Sequence, residues 1–344
     1  VPGTAGQTYT RTKDPVMPPL AMSDGPAGLR LARDFVWSTK GSKALGPVLP
    51  ESMGKFLSPL QKALLKRMGR TAKQGDVVLH RYATAIPIGT AVAQSWDPAF
   101  AELCGDIVGD EMERFGVHLW LAPAMNIQRD LRCGRIFEYY SEDPLLTGKI
   151  AAAVTRGVQK HPGRGATIKH YAANNQETNR FQSNSQVEER ALREIYLKGF
   201  GICIREARPK AVMTSYNLLN GTHTANHFDL ITRSARDEWG FEGLVMTDWL
   251  TASPLSRGLS VGAAPKYPEA SSVGCIKAGN DLIEPGSTLD LELLKKGYED
   301  GELSRDELAA CVVRILRVMS RSHLYEGAGS YLEVSNRKNV TFEA

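Results

Sequence analysis

One unit recurs along this chain and restricts its fold more than any other feature. A short apolar run ends on a polar or charged side chain, and a segment of helical periodicity follows. Val117-His118-Leu119-Trp120-Leu121-Ala122-Pro123 is one such run, and Gly165-Ala166-Thr167-Ile168, ending on Lys169-His170, is another. Lys210 to Asn217 and Gly243-Leu244-Val245-Met246-Thr247-Asp248-Trp249 repeat the pattern, and Cys275 to Glu284 supplies a further passage from helix to strand. A short apolar run bounded by Gly reads as a strand covered on both faces. The helices between are marked at their ends. Asp97 is an N-cap with Pro98 at the first helical position, opening a helix from Ala99 to Phe115 that Gly116 stops. Pro144 opens a second, to about Gln159, and Glu188 to Glu206 and Asp229 to Trp239 are two more. Ser304-Arg305-Asp306-Glu307 is a capping box, and the helix it starts places Leu308, Val312, Ile315, Leu316 and Met319 on one face.

Strand, loop and helix repeating every roughly 30–40 residues predict parallel βα units. The chain carries neither a Gly-rich dinucleotide fingerprint nor a Walker motif. An α/β fold of the TIM-type (β/α)8 barrel kind is therefore expected rather than a Rossmann sheet. With 344 residues, 42% hydrophobic and 23% charged, the chain can bury a large core. The barrel domain is expected over residues 1–325, with 326–344 a C-terminal linker or tail.

A net charge of +4 is too small to imply a nucleic-acid partner, and no apolar run has the length of a membrane span. The start Val1-Pro2-Gly3 has no signal-peptide pattern and no initiating Met, so a longer chain that was processed or trimmed is expected. A soluble location, cytoplasmic or secreted with its signal removed, is left open. Five widely spaced cysteines argue against a disulfide scaffold or zinc site, and neither metal nor cofactor is expected. One stretch departs in charge. Between Lys40 and Arg81 nine Lys and Arg face two acidic residues, Glu51 and Asp76, so this segment is more positive than the whole chain. Leucines and Met68 at helical spacing predict a basic amphipathic helix over Ser58 to Lys73. The preferred reading is an inserted excursion at about 35–81 with a solvated charged face; a membrane-surface or anionic-partner role is the alternative.

The strand ends carry the chemistry. They collect Asp24, before the tight turn Gly25-Pro26-Ala27-Gly28, with Arg135, Lys169-His170, Tyr216 and Asp248-Trp249. In a parallel barrel such ends converge on one pocket. Taken singly, Asp248 would be read as the cap of a following helix and Asp24 as a turn former. Together, carboxylates, cations, an imidazole and an indole suit a polyhydroxylated ligand, since Asp and Lys bind hydroxyls by charge-assisted hydrogen bonds and Trp stacks on a sugar face. A cation such as Lys169 near Asp248 would keep it ionised, as a nucleophile requires. Glycosidic cleavage needs two carboxyl groups.

From Ser23 to about Met319 the chain resembles the glycoside hydrolase family 3 β-glucosidases. The motifs are Ser23-Asp24-Gly25-Pro26-Ala27-Gly28, Leu121-Ala122-Pro123 with Asn126-Ile127-Gln128-Arg129, and Cys133 to Pro144. Ile168-Lys169-His170-Tyr171-Ala172-Ala173-Asn174-Asn175-Gln176-Glu177 and Met213-Thr214-Ser215-Tyr216-Asn217 then precede Gly243 to Trp249 in the family's order. The resemblance implies a retaining β-glycosidase, most simply a β-glucosidase releasing the non-reducing terminal sugar of a β-linked glucoside or short oligosaccharide. It makes Asp248 the nucleophile that forms a covalent glycosyl-enzyme. Asp24, Arg135, Lys169 and His170 become hydroxyl ligands, Tyr216 the neighbour of the nucleophile, Trp249 a wall of the sugar site, and Met213 part of its lining. It also implies a barrel that is incomplete or collapsed at its first elements, as in members with the Asp-Gly-Pro-Ala-Gly motif.

Several departures qualify this. Thr247 stands where the family usually has Ser, which keeps the hydroxyl. The basic stretch is longer than the family's spacing. Most family members carry the acid/base Glu on a second α/β domain, for which this chain has no room. The bacterial N-acetylglucosaminidase branch uses a His in a Pro-Gly-His-Gly loop, and here the corresponding stretch is Tyr171-Ala172-Ala173-Asn174. A second domain or chain is therefore expected to supply the acid/base, with Glu138, Glu142 and Glu177 as fallback acids within this chain. The alternative is a carbohydrate-binding or scaffold barrel that keeps the sugar pocket and has lost turnover.

Overall fold

The computed structural model describes residues 4–8, 18–37, 43–45, 59, 71–73, 76–252 and 266–323. Its strands are β1 (Gly6–Gln7), β2 (Ala21–Ser23), β3 (Asp34–Trp37), β4 (Lys43–Ala44), β5 (Val77–His80), β6 (Leu119–Trp120), β7 (Gly165–Tyr171), β8 (Asn184–Ser185), β9 (Ala211–Thr214), β10 (Leu218–Leu219), β11 (Thr222–His223) and β12 (Leu244–Met246). The α-helices used below are α1 (Gly89–Gln94), α2 (Pro98–Phe115), α3 (Pro144–Gln159), α4 (Lys198–Ala207), α5 (Ser272–Ala278), α6 (Thr288–Glu299) and α7 (Arg305–His323).

Six strands form one sheet in the order β1-β2-β6-β7-β9-β12. β1 is antiparallel to β2, with Gly6 opposite Met22. The other pairings are parallel, placing Met22 opposite Leu119, Leu119 opposite Gly165, and Val212 opposite both Ile168 and Val245. A parallel bridge from Met246 to Leu282 adds the next strand position. The sheet curls so that β1 comes near the loop after β12: a Cβ built on Gly6 would lie 3.6 Å from the Trp249 ring and 3.9 Å from Glu284 Oε2. This is the expected barrel in its incomplete form, with an antiparallel strand where the first βα unit would stand.

Uninterrupted apolar runs arise because both faces of these strands are covered. Leu20, Met22, Leu119, Leu121, Ala211, Met213, Leu244 and Met246 pack together on one face with Val318 and Met319 of α7. The alternate residues Trp120, Ala166, Ile168, Val212 and Val245 join the larger cluster containing Val108 and Met112 of α2, Val154 of α3 and Ile204 of α4.

The helix ends follow the sequence signals. Asp97 Oδ1 accepts the Ala99 N–H at 2.8 Å and Asp143 Oδ1 the Leu145 N–H at 2.7 Å. Gly116 closes α2 at φ 68°. Ser304 and Glu307 form the reciprocal capping box, Ser304 N to Glu307 Oε2 at 2.7 Å and Glu307 N to Ser304 Oγ at 3.2 Å.

Three expectations need correction. The helix over Glu188 to Glu206 is interrupted by a π-helical turn at Leu192–Tyr196, and Asp229–Glu238 is wound as a π-helix. On α7 the expected stripe holds in part: Met319 is buried and Leu308 and Ile315 pack against core clusters, but Val312 and Leu316 are exposed while Cys311 and Val318 are buried. The cause is polar. Arg314 Nε donates to Asp281 Oδ1 at 2.7 Å and Cys311 Sγ to Asn280 O at 3.4 Å, which turns the 311–314–318 edge inward.

The basic excursion leaves and returns on adjacent strands. β3 pairs antiparallel with both β4 and β5, with Asp34 opposite His80 and Trp37 opposite Val77. The helix expected over Ser58 to Lys73 falls almost wholly outside the described residues. Among the described residues, no helix is long and apolar enough to cross a membrane.

Candidate active site

The site is assembled from strand ends and the loops that follow them. After β2 the chain turns sharply at Gly25 and Gly28, with φ of 122° and 117°. A Cβ on Gly25 would stand 2.0 Å from Gly28 O, so this turn requires glycine. It returns Arg30 to Asp24: Arg30 N donates to Asp24 O at 2.7 Å, and the guanidinium pairs with the Asp24 carboxylate. The other carboxylate oxygen accepts from Lys169 Nζ, on β7, at 2.7 Å. Burial pushes the Asp24 carboxyl up, but Lys169, Arg30 and the Gly25 N–H outweigh it and hold the group well below the usual carboxylate range. Asp24 is thus a fixed anion.

His170 follows Lys169 and is wholly enclosed. Asn126 Oδ1 accepts its backbone N–H at 2.9 Å, and Asn126 Nδ2 donates to its carbonyl at 2.8 Å. Arg135 Nη2 lies 2.8 Å from His170 Nε2. A guanidinium only donates, so Nε2 accepts and the ring is neutral with its proton on Nδ1, 3.3 Å from Asn126 Oδ1. Burial, then Arg135, Lys169 and Arg180, holds the imidazole well below its ordinary value, in agreement with that tautomer. Arg135 is itself anchored by Glu138, Nε to Oε1 at 2.5 Å.

Asp248 ends β12. Its Oδ1 accepts the Trp249 N–H at 2.7 Å, its Oδ2 lies 3.7 Å from His170 Nε2, and the Tyr216 hydroxyl bonds to the carboxylate. The residues directly after it, 249–252, are wound as a turn. The expected ionising effect of Lys169 is present but subordinate. Burial raises the Asp248 carboxyl above its ordinary value, and Arg135 pulls it back more strongly than Lys169 does.

Asp24, Arg135, Lys169, His170, Tyr216, Asp248 and Trp249 therefore stand in one connected group. Met213 is placed differently: it is buried in the sheet-face cluster with Met22 and Met246, against which Trp249 also packs. Four further residues belong to this neighbourhood and were not singled out from the sequence. Asn126 lies within a motif already noted, and Arg30 lies two residues beyond another, where the Gly25–Gly28 turn is its signal. Arg180 stacks on Tyr216, its Cζ 4.2 Å from the ring centroid, and pairs with Glu177 at 2.8 Å. Of the fallback acids, Glu138 and Glu177 are thus tied to arginines, and Glu142 is exposed.

The fourth is Glu284, at the end of the strand position beyond β12. Burial alone pushes its carboxyl from the ordinary 4.5 up to about 7. Since the folded state holds this proton more tightly than the unfolded chain, the group's contribution to stability is full below pH 4.5 and is lost as pH rises to about 7. Glu284→Gln is expected to remove that loss: its stability relative to wild type, from urea unfolding, should rise across this window by up to a few kcal/mol. A difference that does not vary with pH would contradict the assignment.

A separate open cavity of about 530 Å³ is lined by Asn184, Gln186, Val187, Glu188, Asn220, Gly221 and Tyr267, and contains none of the groups above.

The architecture is an incomplete (β/α) barrel with carboxylates and cations gathered at one end of its strands, where barrel enzymes place their chemistry. Residues 67–318 match the family described as Glycosyl hydrolase family 3 N terminal domain, and the chain belongs to that family. It is 48% identical over 232 residues to beta-glucosidase A of Butyrivibrio fibrisolvens, covering 66% of this chain and 26% of that protein. It is 38% identical over 245 residues to an exo-alpha-(1->6)-L-arabinopyranosidase of Bifidobacterium longum, covering 70% of this chain and 31% of the other. Among solved structures it resembles beta-glucosidase 3B of Thermotoga neapolitana in complex with alpha-D-glucose, with a TM-score of 0.73 and 35% identity over 95% of this chain and 39% of that one. The chain thus spans well under half the length of these relatives.

Proposed function

We propose that this chain is the nucleophile-bearing barrel of a retaining β-glycosidase that releases terminal glucose from β-glucosides or short oligosaccharides. The observation that carries the reading is the continuous set of contacts from Arg30 through Asp24 and Lys169, and from Arg135 through His170 to Asp248. Asp24, Lys169, Arg135 and His170 serve as hydroxyl ligands, Trp249 and Met213 line the sugar site, and Tyr216 steadies the nucleophile. Because Oδ1 of Asp248 is held by the Trp249 N–H, Oδ2 is the oxygen that attacks the anomeric carbon. The bond from that carbon to the aglycone oxygen breaks, its electron pair leaves with the oxygen, and an acid protonates it. Water then attacks the glycosyl-Asp248 ester and loses its proton to the same acid/base group. The barrel unit spans 1–325 with its insert at 35–81, and residues 326–344 lead on as a linker; a second domain or chain supplies the acid/base.

A second reading, a sugar-binding barrel without turnover, is favoured by the pairing of Glu138 and Glu177 with arginines. A dinitrophenyl 2-deoxy-2-fluoro-β-glucoside separates the two, because its leaving group needs no acid. The expected result is a mass increase of one fluoroglucosyl group on the peptide containing Asp248. Retained glucose binding without labelling would establish the scaffold reading instead.

A further inference from the structure

We propose that Glu284 is a further ligand-binding residue of this pocket, a carboxylate that accepts hydroxyl groups of the bound sugar on the Trp249 side. The inference rests on the β-glycosidase reading of the site and names a contact within it. Glu284 is clamped beside the nucleophile's strand end: its N–H donates to Thr247 Oγ1 at 2.9 Å, and its carbonyl accepts the Leu250 N–H at 2.8 Å. Those two bonds flank Asp248 and Trp249 in the sequence. Thr247 thus has a defined task, which its hydroxyl performs.

The residue is 8% exposed, yet among the described residues its carboxylate has neither a hydrogen bond nor an ion pair. Among the described residues every other buried carboxylate has at least one partner, although Glu111, which accepts the Thr84 N–H at 2.8 Å, leaves its Oε2 unpaired. Glu138 has Arg135, Asp281 has Arg236 and Arg314, and Asp290 accepts from Ser272 and Ser287. A largely buried, unpartnered carboxyl is costly in the empty protein, and a ligand with hydroxyl donors reduces that cost. Among the described residues no cation pairs with it: Oε2 lies near Gly6 in a neighbourhood shared with the Trp249 ring and the Met22 methyl group. Gly6 leaves that space open, since even a Cβ there would make only ordinary contacts of 3.6–3.9 Å.

Position supports the same role. Around the curled sheet, Glu284 occupies the strand end between Asp248 and the β1–β2 edge that leads to Asp24. It therefore fills the gap between the two carboxylates already assigned to the sugar, next to the indole. Carboxylate beside aromatic ring is the pairing that meets the polar rim and apolar face of a pyranose.

The test is a set of aryl β-glucosides each lacking one hydroxyl, at C2, C3, C4 or C6, assayed with wild type, Glu284→Gln and Glu284→Met. In wild type, loss of the hydroxyl that meets Glu284 should lower kcat/KM by about 10–100-fold, the value of a charge-assisted hydrogen bond. Glu284→Met should lose a similar factor on the parent glucoside, chiefly through KM, and should show no further penalty for that one deoxy sugar. Glu284→Gln should fall between them. Both variants should melt no lower than wild type, which a structural strut would not allow. Equal deoxy penalties in all three proteins, with normal turnover of the parent by wild type, would overturn the contact while leaving the glycosidase reading intact. If folded wild type neither turns over a glucoside nor is labelled at Asp248 by the fluoroglucoside, the glycosidase reading fails; calorimetric binding of glucose to wild type and Glu284→Met then decides the contact, with equal affinities overturning it.

Discussion

Replacing Asp248 with Ala is expected to lower hydrolysis of activated aryl β-glucosides by about 10⁴–10⁶-fold, the cost of deleting a covalent nucleophile, without lowering the melting temperature. The second half of this expectation follows from electrostatics. Burial raises the Asp248 carboxyl despite Arg135 and Lys169, so its ionised form is less favourable in the folded protein than in water, and removing it costs the fold little. Azide, which fits the space left by the carboxylate, should restore turnover and give a glycosyl azide of inverted configuration. Thermal melting, initial rates and product analysis check the three parts. A variant that retains more than about a tenth of the activity would exclude Asp248 as nucleophile, and one that unfolds would make it a structural carboxylate.

The largest effect on stability is expected away from the site. Asp281 is fully enclosed, and its two oxygens hold the barrel's last strands to their helices. Oδ2 accepts from Val245 N and Arg236 Nη2, both at 2.8 Å, and Oδ1 accepts from Arg314 Nε at 2.7 Å. Arg236 spans onward to the carbonyls of Gly243 and Gly279, each at 3.0 Å. Asp281→Ala leaves two partly buried guanidinium groups facing one another without their anion. The expected loss is about 3–5 kcal/mol, as for breaking a buried pair from one side, and a fall in melting temperature on the order of 10 °C. Arg314→Met, which leaves Arg236 in place to pair with Asp281, should cost clearly less. Urea and thermal unfolding measure both; equal costs would mean that the strand hydrogen bond to Val245, and not the ion pairs, dominates.

These two carboxylates show how unevenly the site could be read beforehand. Asp248 was legible because it ends an apolar run, and because Lys169-His170 and Tyr216 end others. Asp281 ends no such run: it sits between Asn280 and Leu282 and looks like a loop residue. Glu284 does close the passage from Cys275, but nothing local distinguishes a carboxylate that will be buried from one that will be solvated. The α7 stripe illustrates the general point. Apolar residues at helical spacing predicted a buried face of the right width, but Arg314 and Cys311 rotated it towards Asp281 and Asn280, leaving Val312 and Leu316 outside.

Periodicity, caps and turn glycines act over a few residues, so the sequence by itself determined the parallel βα pattern, the starts of α2, α3 and α7, and the turn at Gly25 and Gly28. The strand-end chemistry was determined with them, because residue types at the ends of buried runs are local facts. Which of those groups meet was decided only by the tertiary structure. Lys169 reaches Asp24 across 145 positions and Arg135 reaches His170 across 35, and such distances are closed by curling the sheet. The same closure set the charge states. Burial and the sum of surrounding cations make Asp24 a fixed anion, keep His170 neutral and leave Glu284 largely buried beside Trp249 with no partner among the described residues.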